Sequence, residues 1–165
     1  MRTKMLFVAG LMLVVTAGLL LLFRDGDERK LRRSLDKMAA TFEKKDQEGL
    51  MDAARRSQFM AQQFVAKPEI SVEGYPGPLD TQNDIQSTVF QIRSMARSID
   101  VSLFDLRIEL MPNRAEATMN FTARAQFNME GTMETVSLEF QLLWTKVGKD
   151  WLINGLEARE VSGSR

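Results

Sequence analysis

From Ser98 almost to the end of the chain, apolar and polar residues alternate one by one, and few folds accommodate that pattern. Phe104, Leu106, Ile108 and Leu110 alternate with Asp105, Arg107 and Glu109. Ala115, Ala117, Met119, Phe121, Ala123, Ala125 and Phe127 alternate with Arg114, Glu116, Thr118, Asn120, Thr122, Arg124 and Gln126. Val136, Leu138, Phe140, Leu142 and Trp144 continue the series against Ser137, Glu139, Gln141, Leu143 and Thr145, and a short strand Trp151–Leu156 follows the turn Val147-Gly148-Lys149-Asp150. Side chains on a strand point to opposite faces in turn, so this spacing predicts strands with one buried and one wet face. Three long strands and a short one with tight connections make an antiparallel meander.

Upstream the period is helical. Leu31, Leu35, Met38 and Phe42, spaced four, three and four, predict an amphipathic helix over Asp27–Lys45, broken from what precedes it by Asp25-Gly26-Asp27. Asp46 is placed to cap a second helix reaching about Ala66, with Leu50, Ala54, Phe59, Met60 and Phe64 as its apolar set. Pro68 stops it, Glu69–Gly74 reads as a short strand through Ile70 and Val72, and Tyr75-Pro76-Gly77-Pro78 is a turn. Thr81-Gln82-Asn83-Asp84 has the form of a capping box, opening a third helix through Arg97 with Ile85, Val89, Ile92 and Met95/Ala96 inward. Helices first and an antiparallel sheet after them give an α+β layout.

Met5–Phe23 is nineteen residues without a charge. As a helix it is about 28 Å long, against a hydrocarbon core of ~30 Å. It is longer than a secretory h-region and no small-x-small cleavage site ends it, so the sequence predicts an uncleaved anchor over residues 1–24. The domain then spans 25–161, with a flexible tail at 162–165. Arg2 and Lys4 favour a cytoplasmic N-terminus and an extracytoplasmic domain, while Arg24, Arg29, Lys30, Arg32 and Arg33 pull the other way. The expected location is the inner membrane, single-pass, with the bilayer as partner through residues 5–23. Without Arg2 and Lys4 the remainder has 20 basic against 22 acidic residues. Signs so interspersed argue against nucleic acid.

Two further stretches make the layout specific: Phe42-Glu43-Lys44-Lys45-Asp46 leading into the second helix, and Leu142-Leu143-Trp144-Thr145-Lys146 followed by Lys149-Asp150-Trp151-Leu152-Ile153. With them, residues 27–161 resemble nuclear-transport-factor-2-like domains, the cone fold shared with ketosteroid isomerases and SnoaL-type cyclases. The resemblance implies helices packed on a strongly curved sheet, and a cone whose catalytic members place a carboxylate, Tyr or His inside.

No catalytic constellation is evident. The chain has no histidine and no cysteine, which removes His–Asp dehydration, thiol chemistry and His- or thiolate-ligated metals. Tyr75 sits in a turn, Asp80 and Asp84 at a helix start, and Asp105, Glu109, Glu116 and Glu139 on the polar strand face. Glu134, in phase with Val136, and Asn154, should the last strand turn it inward, are the residual candidates. The expectation is therefore no catalytic residue, no cofactor and no metal. Phe104, Met119, Phe121, Phe140 and Trp144 would line a cone cavity if one is kept; core packing is the simpler role for both tryptophans and for the methionines. The functional expectation is a non-catalytic interaction or scaffold domain of a bacterial-type envelope complex. It would have a membrane or envelope protein partner and a possible homo-oligomer through the first helix. The alternative is a lipid or other hydrophobic small molecule in the cone, and an isomerase or cyclase comes last.

Overall fold

Thr81 stops the chain in extended conformation, accepts a hydrogen bond from the Asp84 amide and donates its own amide to the Asp84 carboxylate. This reciprocal capping box opens α3 (Gln82–Met95) where the sequence places it. The structure, a computed structural model, describes residues 26–45, 48–129 and 131–161. Residues 26–42 form α1, in which Leu31, Leu35 and Met38 are buried as their spacing predicts. α2 (Leu50–Ala61) is shorter than expected. Its buried residues are Ala53, Ser57 and Ala61, while Leu50 and Met51 stand in solvent. The chain turns to strand at Phe64, because parallel pairing with the final strand, from Phe64↔Ile153 onward, claims a segment whose local pattern also suits a helix.

Two compact units divide the chain, Met1–Ser34 and Leu35–Arg165. In the first, the described residues are the helical 26–34, with Lys30 3.9 Å from Asp27. Among the described residues no helix is long and apolar enough to cross a membrane. The span expected at Met5–Phe23, the Asp46 cap and the 162–165 tail lie outside them.

The second unit holds one five-stranded sheet in the order β1-β5-β4-β3-β2. β2 (Ser98–Leu110), β3 (Glu116–Met129), β4 (Thr132–Val147) and β5 (Asp150–Glu160) make the expected antiparallel meander. β1 (Phe64–Val72) adds to β5 in parallel, so the sheet is mixed rather than wholly antiparallel, and β5 is longer than Trp151–Leu156. Ala117, Met119 and Phe121 of β3, Leu142 and Trp144 of β4, and Ile153 and Ala158 of β5 are buried. In register they share one face, the covered face.

The helix ends are tied by an exchange of cations. Arg93 is fully buried on α3 and donates through Nη1 to the carbonyls of Thr41 and Phe42 at 2.9 and 2.6 Å. Nη2 donates to Glu43 O at 3.1 Å and to the Glu48 carboxylate, and Nε reaches the other Glu48 oxygen at 3.1 Å. These contacts use the five N–H groups a guanidinium has. In return Lys44 Nζ donates at 2.6 Å to the carbonyls of Arg93 and Ala96 at the end of α3. The C-terminal carbonyls of α1 are thus bonded by a side chain of α3, and those of α3 by Lys44, just past the end of α1. The inward line of α3 is accordingly Ile85, Val89 and Arg93, and Met95, expected inside, is 55% exposed.

Candidate functional site

Local breaks in the ladders decide which residues meet. In β2 the register passes from Phe104↔Thr122 to Arg107↔Asn120, so Asp105 and Leu106 together oppose Phe121. Asp105 takes φ +55°, a left-handed conformation. This bulge reverses the side-chain phase. Ile99, Val101 and Leu103 precede it on the covered face, and Leu106, Ile108 and Leu110 follow on that same face. Phe104 falls on the opposite, open face, 45% exposed beneath the Arg124 guanidinium at 5.6 Å. The expected cavity lining of Phe104, Met119, Phe121, Phe140 and Trp144 is therefore not one set. Met119, Phe121 and Trp144 are buried on the covered face, and Phe140 stacks on Phe121 with centroids 5.1 Å apart.

Asn154 sits at a deeper irregularity. Toward β4, Leu143↔Gly155 gives way to Trp144↔Ile153, leaving Asn154 without an opposite number. Toward β1, Phe64↔Ile153 is followed by Glu69↔Gly155, so residues 65–68 also face this one position. Pro68 in that stretch has no N–H to give a ladder. Asn154 is thus out of register with both neighbouring strands. It lines a pocket of about 220 Å³ with Met111, Glu116, Ala117, Thr118, Leu143 and Trp144.

Among the described residues two buried side-chain polar atoms lack a hydrogen-bond partner, Trp144 Nε1 and Asn154 Oδ1. The residues that carry them both line this pocket, Trp144 from the covered face. One is a pure donor and the other, an amide oxygen, an acceptor. A buried, unpaired polar group costs about 1–3 kcal/mol. On the rim, Asn113 Nδ2 holds the Glu116 carboxylate at 2.9 Å, and the Glu116 amide donates back to Asn113 Oδ1 at 3.2 Å. Met111 and Leu143, 36% and 44% exposed, supply the apolar walls.

Two shallower depressions lie on the open face. One of about 480 Å³ is lined by Asp105, Arg107, Asn120, Thr122, Glu139 and Arg159 among others. Glu157 bonds Arg159 there and keeps its guanidinium protonated beyond the ordinary range, chiefly through that hydrogen bond and charge. The other, about 410 Å³, lies over Gly155, where an added Cβ would come within 3.0 Å of Leu143 Cδ1. Asp105, Glu109, Glu116 and Glu139 are exposed, as their alternation predicts, and so is Glu134 at its strand end. Tyr75 bonds Thr88 Oγ1 at 3.1 Å and packs over Gly77, a turn-holding role. Among the described residues no three acidic groups stand together to hold a metal ion. Sequence reasoning raised Asn154 but not that it lines a pocket with Trp144, whose place in an apolar series reads as plain core.

No protein-family model matches the chain, and no curated protein matches it in sequence. Solved structures do share its fold. A candidate scytalone dehydratase from Novosphingobium aromaticivorans aligns with TM-score 0.69 at 14% identity, covering 84% of this chain and 86% of that one. An NTF2-like protein of cystatin-like fold from the same organism gives 0.67 at 13% identity, with 91% and 90% covered. A type-2 hexachlorocyclohexane dehydrochlorinase LinA gives 0.62 at 12% identity, with 82% and 88% covered. At such identities the likeness establishes the fold. It also corrects one expectation. The domain was expected to be non-enzymatic for want of histidine, cysteine and an inward carboxylate, but similar structures carry the names of a dehydratase and a dehydrochlorinase, so that exclusion does not stand. These neighbours are compatible with small-molecule binding, and nothing among them supports a scaffold role in an envelope complex. The fold of residues 26–161 is that of NTF2-like, SnoaL-like domains.

Proposed function

We propose that the domain binds a small molecule, seated in the pocket where β3, β4 and β5 meet around Trp144 and Asn154. One observation carries this reading: two buried polar atoms without partners fall on residues that are near neighbours across one strand pair, and both residues line one pocket. Solved structures of the same fold named for chemistry on small molecules favour the reading. The nineteen-residue apolar run Met5–Phe23 would hold the domain at a bilayer.

The test is a thermal-shift screen of the full chain against compact polar fragments, run in parallel on Asn154→Leu. Fragments that raise the melting temperature of the wild type should lose most of that effect in the variant. Equal shifts in both proteins would place binding elsewhere and end the assignment of this pocket.

A further inference from the structure

The sheet ends at β2, and an edge strand carries a row of backbone groups that its own sheet does not pair. Near its start this edge is closed, because Ile99 exchanges both backbone hydrogen bonds with Lys44 at 2.9 Å. Beyond Ile99, among the described residues, no backbone hydrogen bond reaches the outer side of β2. At the far end Met111 gives its amide inward, to Glu116 O at 2.9 Å. Backbone direction alternates along a strand, so Glu109 and Arg107 also bond inward, and Leu106, Ile108 and Leu110 turn their N–H and C=O groups outward. The bulge at Asp105–Leu106 and the strand end at Leu110 delimit this free stretch.

Its sequence, Leu106-Arg107-Ile108-Glu109-Leu110, is complementary to itself when reversed. Laid antiparallel on a second copy about Ile108, Leu106 meets Leu110 and Arg107 meets Glu109, each twice by symmetry. Arg107 and Glu109 are exposed on the open face, beside Asn120 and Thr118. Leu106, Ile108 and Leu110 are half-buried on the covered face. Charge therefore meets opposite charge on one face, and apolar meets apolar on the other. The outward backbone groups fall opposite one another, and Arg107 and Glu109 fall at the positions between, where facing side chains come closest. We infer that β2 is a self-pairing edge, through which two copies of this chain join antiparallel along Leu106–Leu110. Charges on an edge strand ordinarily guard it against pairing. Here the guard selects the register: moving the centre by one residue sets Arg107 against Arg107 or Glu109 against Glu109. So short an edge buries less than the ~1,200 Å² of a stable soluble complex, so the pair forms and parts with concentration.

Cross-linking of the full chain in detergent micelles tests this, and the absence of native cysteine leaves introduced thiols without background. Tagged Arg107→Cys mixed with untagged Glu109→Cys should form a mixed disulfide on mild oxidation. Either variant alone, its thiols one rung apart, should cross-link roughly tenfold more slowly. Charge reversal reads the same contact without a thiol. Arg107→Glu and Glu109→Arg, each alone, should weaken self-association in sedimentation roughly tenfold, and the two together should restore it. Monomers at every concentration overturn the inference. So does a dimer that forms no mixed disulfide, or one indifferent to charge reversal, since either places the interface elsewhere.

Discussion

Arg93 and Asn154 are polar residues drawn into the interior on opposite terms. Arg93 has a bond for each N–H, and its partners depend on it in turn: three backbone carbonyls and the Glu48 carboxylate. Arg93→Met removes the cation but leaves Glu48, whose side chain is 8% exposed, buried beside carbonyls. Arg56 at 3.2 Å compensates only in part. Removing one member of such a buried pair costs roughly 3–5 kcal/mol, and urea denaturation of the variant should show a loss of that order. Asn154 has the reverse balance. Asn154→Leu removes an unpaired buried oxygen, so the variant should be as stable as the wild type or more stable by about 1 kcal/mol, while fragment binding falls. If Asn154 binds as proposed, it is a group that destabilises its own fold, the usual trade between stability and activity. Neither residue announced itself fully in the sequence. A charge on a helix reads as solvent face, and only the spatial convergence of Glu48 and the end of α1 turns Arg93 inward. An asparagine in a final strand reads as surface unless the register is known.

At the scale of elements, local chemistry predicted what local chemistry decides. The Thr81–Asp84 box and the alternation of β3 and β4 are the plainest cases, because each is fixed by residues a few positions apart. Thr81→Ala should cost about 1 kcal/mol by removing the cap of α3, visible as a lower urea midpoint with unchanged slope. Two bulges escaped. Period-two counting assumes one residue per rung, and the extra residues at 105–106 and 154 move Phe104 to the wet face and free Asn154 from the ladder. The strain at Asp105 is testable: Asp105→Gly relieves a positive φ and should raise stability by up to about 1 kcal/mol, measured by thermal denaturation. β1 was misjudged in length for a related reason. Phe64–Ala66 suits a helical pattern, but its parallel pairing with β5 is a contact across some ninety positions that no local window holds.

The whole molecule joins an NTF2-like fold to a charge-free N-terminal run. If Met5–Phe23 is a tether, the full chain should stay with the membrane fraction through alkaline carbonate washing, and a chain with Leu13 and Leu20 replaced by Arg should be released. Retention of the doubly charged variant would point to attachment through another surface. Fold likeness at 12–14% identity leaves the chemistry to the site, and the proposed site is a pocket lined by Trp144 and Asn154, each of which carries a buried polar atom without a partner. The most direct measurement is therefore a crystal structure of the protein at atomic resolution, grown with a fragment that raises its melting temperature. The account predicts density for the fragment in the pocket beside Asn154, between Leu143 and Glu116. Trp144 and Asn154 bonded to protein groups, with the pocket filled by side chains, would contradict it.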